Sequence, residues 1–154
     1  MATAQEPIGS GFGKRSTAAD VLEGLDLTGQ LAVVTGGYSG LGLEITRALA
    51  AAGARVIVPA RRADVAHAAL AETSGVEVLS MDLADLDSVA VAASELLARG
   101  EAIDLLIANA GIMACPEARV GPGWEAQFAT NHVGHFALVA RLWPLLTRRG
   151  ARVV

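Results

Sequence analysis

Short apolar, β-branched runs alternate with longer amphipathic segments along the chain, and this alternation restricts the fold more than any other feature. Runs such as Val56-Ile57-Val58 show no polar alternation, which is typical of strands covered on both faces. Strands separated by helices in this way form parallel, doubly wound α/β sheets. The sequence predicts strands at Leu31–Thr35, Arg55–Ala60, Val76–Met81, Ile103–Ala108 and Ala151–Val154, and helices at Leu41–Ala52, Asp64–Thr73, Asp85–Arg99 and Gly123–Leu146.

Apolar residues make up 53% of the 154-residue chain, a share that suits either a membrane protein or a sheet buried on both faces. A membrane-spanning helix needs about 20 consecutive apolar residues. Every long apolar stretch is interrupted by an arginine, at Arg47, Arg55, Arg61 or Arg141. We therefore expect no membrane span. The formal net charge of -4 provides no basic surface for nucleic acid, so we expect no nucleic-acid partner.

The composition also bears on the cellular compartment. The single cysteine, Cys115, cannot form an internal disulfide, which favours a reducing compartment. Residues 1–13 lack the basic and apolar regions of a signal peptide. Lys14 is the only lysine, and the preference for arginine and alanine is typical of a GC-rich bacterial gene. We expect a cytoplasmic bacterial protein.

A glycine-rich run, Thr35-Gly36-Gly37-Tyr38-Ser39-Gly40-Leu41-Gly42, follows the first predicted strand and opens the next helix. In this context glycines form the phosphate-binding loop of a Rossmann fold. Gly36 would permit the tight turn, Gly40 would let the backbone approach a pyrophosphate, and Gly42 would let the helix pack closely. The free N–H groups at the helix start would then face the phosphates. An ordinary glycine-rich turn is the alternative.

The spacing Thr-Gly-x-x-x-Gly-x-Gly resembles the fingerprint of the short-chain dehydrogenase/reductase family. Three further segments match that family in order, over residues 16–154. They are Asp82-Leu83, Asn109-Ala110-Gly111 and Asn131-His132-Val133-Gly134-His135-Phe136. Within the family the sequence looks most like the retinol-dehydrogenase-like and WW-domain-oxidoreductase-like branch. The resemblance implies that Asp82 and Leu83 lie against the adenine ring of a nicotinamide cofactor.

Two regions follow from these patterns. Residues 1–29 form an N-terminal leader, with a short helix within Ser16–Leu27 that Ser16 or Thr17 would cap. Residues 30–154 form an incomplete NAD(P)-binding Rossmann domain, in which the sheet is truncated after about four strands. The last predicted strand has only begun when the sequence reaches Val154.

The residues after the second predicted strand bear on the choice of cofactor. NAD-binding relatives place an acidic residue about 20 positions past the loop, whereas an arginine nearby accommodates the 2′-phosphate of NADP. Here that point reads Ala60-Arg61-Arg62, so we expect NADP, with NAD less favoured. The alternative is that Arg61 and Arg62 are solvated turn residues. Asp64, the nearest acid, is expected to cap a helix, and Pro59 has no functional explanation from sequence.

Two asparagines are expected to do different work. Asn109, at the turn after a strand, would mainly tie adjacent strands together at the cofactor edge through its amide. Asn131 lies in the middle of an apolar helix, where asparagine costs helix propensity and needs hydrogen-bond partners if buried. The resemblance makes Asn131 the catalytic asparagine, which bends the helix and holds a water in a proton relay. A plain core amide is the alternative.

His132 and His135 lie three residues apart, but no acidic or cysteine partner stands at a matching position. We therefore expect no metal site, and histidines that are either exposed or hydrogen-bonded in the interior. Cys115 has no apparent base beside it, so we expect it to be inert. Trp124, Phe128 and Phe136 form an aromatic stripe that would pack in the core or, by resemblance, in the homo-oligomer of a complete enzyme.

The resemblance implies an oxidoreductase acting on a small-molecule alcohol/carbonyl pair with a Ser and a Tyr-x-x-x-Lys pair. The only tyrosine is Tyr38, and Lys14 precedes the first predicted strand, so no such pair can be drawn. An unperturbed tyrosine is a poor acid–base group at neutral pH. We expect this chain to be the cofactor-binding half of an NADP-dependent enzyme, inactive alone. The alternatives are a remnant protein and a non-catalytic nucleotide-binding module.

Overall fold

The computed structural model describes residues 9–154. Its helices and strands follow one another in the predicted alternation. In chain order they are α1 Ala18–Leu22, β1 Leu31–Val34, α2 Gly40–Ala51, β2 Arg55–Ala60, α3 Ala63–Leu70, β3 Val76–Ser80, α4 Leu86–Arg99, β4 Leu105–Ile107, β5 Arg119–Val120, β6 Trp124–Glu125, α5 Ala126–Phe128, a π-helical segment Ala129–Val133, α6 Gly134–Leu146 and β7 Arg152–Val153.

Within residues 9–154, five parallel strands form one sheet in the order β3-β2-β1-β4-β7. The chain therefore winds from β1 to β3 in one direction and then crosses to β4 on the other side of β1, as a doubly wound Rossmann sheet does. This confirms the predicted fold class. Strands β5 and β6 pair separately as an antiparallel hairpin.

Both faces of the sheet are buried, as the unbroken apolar runs predicted. Successive residues of β1 point to opposite layers, so that Val33 packs with α4 and α6 while Val34 packs with α2 and α3. The α4 and α6 layer contains Leu31, Ile57, Val89, Leu96, Leu106, Leu138 and Leu142. The opposite layer contains Ala32, Leu49, Val56, Val58 and Leu70.

Helix starts agree with the sequence where a side chain caps them. Thr17 caps α1 with a reciprocal bond from Asp20, and Asp85 accepts hydrogen bonds from the first N–H groups of α4. The prediction that Asp64 caps α3 was wrong. The helix begins at Ala63 with Arg62 at the capping position, so the Asp64 carboxylate lies in the first turn and makes no capping bond.

The long helix predicted over Gly123–Leu146 is interrupted at its beginning. Gly121 and Gly123 adopt φ of 54° and 105°, which closes the β5–β6 hairpin before any helix can start. Glu125 then caps α5. The helix is irregular in the π-helical segment and not at Pro144, because α6 continues through Pro144.

Pro59 has no N–H to donate, yet it leaves no carbonyl of the neighbouring strand unpaired, although β2 is an interior strand. Alternate N–H groups of β2 face opposite sides: that of Arg55 bonds towards β1 and that of Val56 towards β3. By this alternation the Pro59 nitrogen faces the Val34 carbonyl of β1. That carbonyl accepts a hydrogen bond from the Gly37 N–H at 3.3 Å, so the missing donor of Pro59 leaves no carbonyl unpaired.

Gly134 sets the distance between α6 and the chain that follows β3. A Cβ atom at Gly134 would overlap the carbonyl oxygen of Leu83, which belongs to the backbone of the turn between β3 and α4. We predict that Gly134→Ala lowers the free energy of unfolding by about 1–3 kcal/mol through overpacking, measured by urea denaturation. Gly13→Ala is the matched control, because Gly13 has open space around it. Equal stability of the two variants would contradict this packing.

Candidate active site

A cleft of about 370 Å³ lies at the carboxyl ends of β1, β2 and β4. Ligands of doubly wound sheets bind where the strand order reverses, here between β1 and β4. Most of the residues predicted to bind the cofactor line this cleft. They are Gly36, Tyr38, Ser39, Leu41, Gly42, Arg61, Asp82, Leu83, Asn109, Ala110 and Gly111.

The glycine loop leaves no space for a side chain at Gly36 or at Gly42. Gly36 has φ of 65°, and a Cβ atom there would lie 3.0 Å from Ala110. A Cβ atom at Gly42 would overlap the Gly36 carbonyl oxygen and the Asn109 side chain. The first turn of α2 therefore packs directly against the loop and against the end of β4. Gly40, at φ of 52°, faces open space and leaves the loop accessible from the cleft.

The N-terminus of α2 opens into this cleft without a capping side chain. Ser39 occupies the capping position but makes no side-chain hydrogen bond to the helix. The first N–H groups of a helix have no partners within the helix, and the helix dipole adds partial positive charge there. Leu41, in this turn, is 80% exposed. The arrangement is that of an anion-binding helix terminus.

Thr35 joins the glycine loop to the end of β4 through every polar group it carries. Its N–H donates to the Ile107 carbonyl at 3.0 Å, and its hydroxyl accepts from the Ala110 N–H at 3.1 Å. The Asn109 amide donates to the Thr35 carbonyl at 3.0 Å. The Asn109 side chain thus ties β4 to β1, the structural work expected of it. Thr35 itself is fully buried and lies beneath the cleft.

His135 of α6 also contacts Thr35. Its Nε2 lies 2.8 Å from the Thr35 hydroxyl, and its Nδ1 lies 3.0 Å from the Asn131 carbonyl oxygen. Because a carbonyl only accepts, Nδ1 carries the proton; in the neutral ring Nε2 then accepts from the Thr35 hydroxyl. Burial lowers the pKa of His135, and the bond to the Asn131 carbonyl partly offsets that effect.

Asn131 lies in the π-helical segment and holds the chain that follows β4. Its side-chain oxygen accepts from the Ile112 N–H at 2.9 Å, and its amide donates to the Ile112 carbonyl at 2.8 Å. Four residues earlier, Gln127 accepts from the Ala114 N–H at 3.2 Å. Asn131 is exposed rather than a core amide. It borders the cleft through Thr130 and Ile112, which line the wall.

The segment after β3 forms the opposite wall. Asp82 accepts from the Ala84 N–H at 2.9 Å, while its own N–H donates to the Ser88 hydroxyl at 2.9 Å. These bonds fix a tight turn between β3 and α4. Leu83 is buried beneath that turn.

Arg61 lies at the edge of the cleft just beyond β2, and its side chain is exposed. Within residues 9–154, neither Arg61 nor Arg62 has a carboxylate within ion-pair distance. Arg62 is also exposed but does not line the cleft, because it lies at the start of α3. The structure thus brings Arg61, but not Arg62, to the cleft.

Four residues that line the cleft were not predicted as site residues: Pro59, Met81, Ile112 and Thr130. Each directly precedes or follows a predicted element or motif, and its position depends on where neighbouring strands end relative to one another. Sequence order alone does not give that stagger. Gly37 was also passed over, although a Cβ atom there would overlap the Thr46 hydroxyl of α2.

The described part of the chain also bears on metal binding and on membrane insertion. Between residues 9 and 154 no three His, Cys, Asp or Glu side chains converge on a possible metal position. His132 is exposed and stacks on Phe128 with ring centroids 5.2 Å apart. No helix in the same range is long and apolar enough to cross a membrane.

Comparison with known proteins decides the family. Residues 30–154 match the sequence model described as short chain dehydrogenase. The chain belongs to the short-chain dehydrogenase family. Its parallel sheet with flanking helices is the Rossmann-like fold of that family.

Individual relatives share between a third and a half of their aligned residues with this chain. The chain is 48% identical over 135 residues to a protein of Streptomyces antibioticus named "Probable oxidoreductase", covering 84% of this chain and 45% of that one. It is 40% identical to the chloroplastic short-chain dehydrogenase TIC 32 B of Brassica napus, over 84% of this chain and 42% of the relative. The chain therefore spans about half the length of the curated relatives it matches.

Solved structures give the same fold. A crystal structure of an uncharacterised Mycobacterium paratuberculosis protein matches with a TM-score of 0.76 and 42% identity, over 84% of this chain and 46% of that one. The Pseudomonas aeruginosa protein RhlG, solved as a complex with NADP, matches with a TM-score of 0.70 and 31% identity, over 83% of this chain and 54% of that one.

The buried His135 makes stability depend on pH. Because its pKa is lower in the folded chain than in the unfolded chain, folding opposes protonation. We predict that the free energy of unfolding is highest above pH 6.5 and falls as the pH drops below that value. Urea denaturation between pH 7.5 and 5 measures it, and His135→Leu should flatten the slope. An unchanged slope in that variant would assign the effect to other groups.

Proposed function

We propose that residues 30–154 are the cofactor-binding half of an NADP-dependent oxidoreductase that acts on an alcohol/carbonyl pair. The observation that carries this proposal is an uncapped N-terminus of α2 inside a glycine-lined cleft, with Arg61 at its edge. The family supports an oxidoreductase with a nicotinamide cofactor. The resemblance noted in the sequence supports the retinol-dehydrogenase-like branch, and hence a lipophilic substrate.

The residues present suit a dinucleotide. The first N–H groups of α2 suit a pyrophosphate. Gly42 has no side chain, so the first turn of α2 packs directly against the loop at that point. Asp82 and Leu83 form the wall where the resemblance places adenine. When bound, the nicotinamide would supply or accept the hydride. As the resemblance implies, Asn131 would bend the helix and hold a water in the proton relay of the complete enzyme. Its side chain also holds the Ile112 backbone at the border of the cleft.

Arg61 favours NADP over NAD. Its exposed guanidinium has no ion-pair partner within residues 9–154 and lies at the cleft edge beyond β2. A planar guanidinium pairs well with a phosphate through two hydrogen bonds. No acidic residue stands between β2 and α3 to accept a ribose hydroxyl. RhlG and a metagenomic short-chain oxidoreductase were both solved with NADP, which supports the same choice.

The catalytic Tyr and Lys that the resemblance requires are not among these 154 residues, since Tyr38 and Lys14 are the only residues of their types. We propose that turnover depends on a Ser and a Tyr-x-x-x-Lys pair supplied by a further part of the enzyme. The alternatives are a non-catalytic nucleotide-binding module and a remnant protein. Sequencing the gene beyond codon 154 separates the enzyme from these alternatives: an open frame reaching Tyr-x-x-x-Lys supports the enzyme.

The remaining expectations belong to the same proposal. The Streptomyces relatives, at 48% and 49% identity, support a bacterial source, and we keep the cytoplasm as the proposed compartment.

Phe128 and Phe136 are 54% and 70% exposed on the outer side of their helices. This exposure supports an oligomer of the complete enzyme that covers them.

Removal of the Arg61 guanidinium tests the cofactor choice. A hydrogen bond to a charged group contributes about 1.5–3 kcal/mol. We therefore predict that Arg61→Ala weakens NADPH binding by about 10- to 100-fold and leaves NADH binding unchanged, measured by cofactor fluorescence titration of the 154-residue chain. Equal losses for both cofactors would contradict the assignment of Arg61 to the 2′-phosphate.

Two controls accompany this measurement. Arg47→Ala removes an exposed arginine of α2 that pairs with Glu44 instead of reaching the cleft, so its NADPH affinity should equal that of the unaltered chain. Gly42→Ala introduces a side chain where the loop, α2 and Asn109 meet, so binding of both cofactors should be lost. NADPH binding by Gly42→Ala at full affinity would count against the proposed site.

A further inference from the structure

A series of hydrogen bonds, buried at its Thr35 end and exposed at its Asn131 end, connects the cofactor cleft to the π-helical segment. It runs from the Thr35 hydroxyl to His135 Nε2 at 2.8 Å, and from His135 Nδ1 to the Asn131 carbonyl at 3.0 Å. The Asn131 side chain then holds both backbone groups of Ile112, which lines the cleft wall. Thr35 is fully buried and His135 is 7% exposed, so water does not compete for the bond between them.

The bond from His135 to the Asn131 carbonyl lies where the helix changes from π-helical to α-helical register. In an α-helix that carbonyl would accept from the backbone N–H four residues later. Here the Gly134 N–H bonds the Ala129 carbonyl, five residues earlier, so the backbone pairing is displaced by one residue. The His135 ring, four residues after Asn131, takes the position of a donor to that carbonyl.

The proton positions give the series a fixed direction. Nδ1 must donate to the carbonyl, so Nε2 accepts and the Thr35 hydroxyl donates. The hydroxyl oxygen also accepts from the Ala110 N–H. Within residues 9–154 its remaining partner is the Ile107 carbonyl, at a weak 3.4 Å. Loss of the imidazole would therefore leave the Thr35 hydroxyl without a well-placed acceptor.

We propose that His135 is a positioning residue that holds the glycine loop and the Asn131–Ile112 wall of the cleft in one fixed relation. When the cofactor binds and restricts the motion of the glycine loop, His135 passes that restriction on to the Asn131–Ile112 wall. The proposal rests on the proposed function in one respect, that the ligand of the loop is NADP(H). A histidine that only filled space could be replaced by leucine at this position without effect on the cleft.

Three substitutions separate the two halves of the imidazole. His135→Gln keeps an acceptor near the Nε2 position for Thr35, His135→Asn keeps a donor near the Nδ1 position for the Asn131 carbonyl, and His135→Leu keeps neither. The first readout is NADPH affinity of the 154-residue chain. The second is amide hydrogen exchange at Ile112 with and without NADPH, which reports the wall.

We expect NADPH to slow exchange at Ile112 in the unaltered chain. A net hydrogen bond contributes about 0.5–1.5 kcal/mol, so His135→Leu and His135→Asn should bind NADPH about three- to tenfold more weakly. His135→Gln should keep the affinity but lose the slowing at Ile112. Unchanged affinity and unchanged slowing in His135→Leu would overturn the proposal.

A matched control excludes a general loss of stability. Leu142→Ala removes a fully buried side chain of the same helix, two turns away from His135, and should lower stability without altering the NADPH response at Ile112. Loss of that response in Leu142→Ala would overturn the assignment to His135. Nitrogen-15 spectra should show the proton of His135 on Nδ1; a ring protonated on Nε2 alone would also overturn it.

The outcome in which the unaltered chain binds no NADPH is distinct, because it defeats the proposed function but not the positioning role. Thr35→Val is then compared in the unaltered and the His135→Leu backgrounds. If Thr35→Val speeds exchange at Ile112 in the unaltered chain but not in His135→Leu, the positioning role is supported, because the effect of Thr35 on Ile112 then requires the imidazole. The same acceleration in both backgrounds overturns it.

Discussion

The hydroxyl of Thr35 is the contact on which the cleft depends. It lies where β1 ends, fully buried, between the Ala110 N–H of the β4 segment and the imidazole of His135. A buried hydroxyl without partners would cost free energy, so three separate parts of the chain must meet at this point for the fold to be stable. The glycine loop begins at the next residue, so the contacts of Thr35 determine where the loop starts.

Close approach of backbones completes the arrangement. Gly42 lets α2 contact the loop, and Gly134 lets α6 contact the Leu83 carbonyl. In both places the missing Cβ sets the spacing between a helix and the sheet edge. The cleft therefore has rigid walls made largely of backbone, which leaves N–H groups available to an anionic ligand. Arg61, at the edge, is the residue through which we propose that the cleft distinguishes NADP from NAD.

The sequence predicted most of the fold because its signals were local. Apolar runs marked the strands, and the Thr17 and Asp85 caps marked two helix starts. It failed where a local signal had two interpretations. Asp64 was suitable as a cap but falls inside the first turn of α3, and the long apolar stretch from Gly123 reads as continuous helix although a glycine hairpin and a π-helical segment divide it.

By itself, then, the sequence determined the parallel sheet, the glycine loop and the family, because strand periodicity and glycine spacing are written in consecutive residues. Only the tertiary structure decided that His135 bonds Thr35, 100 positions away, and that Pro59 and Thr130 line the same cleft. Those relations depend on strand stagger and on the one-residue displacement of a π-helical turn. Both arise from packing between distant elements, and no window of consecutive residues contains them.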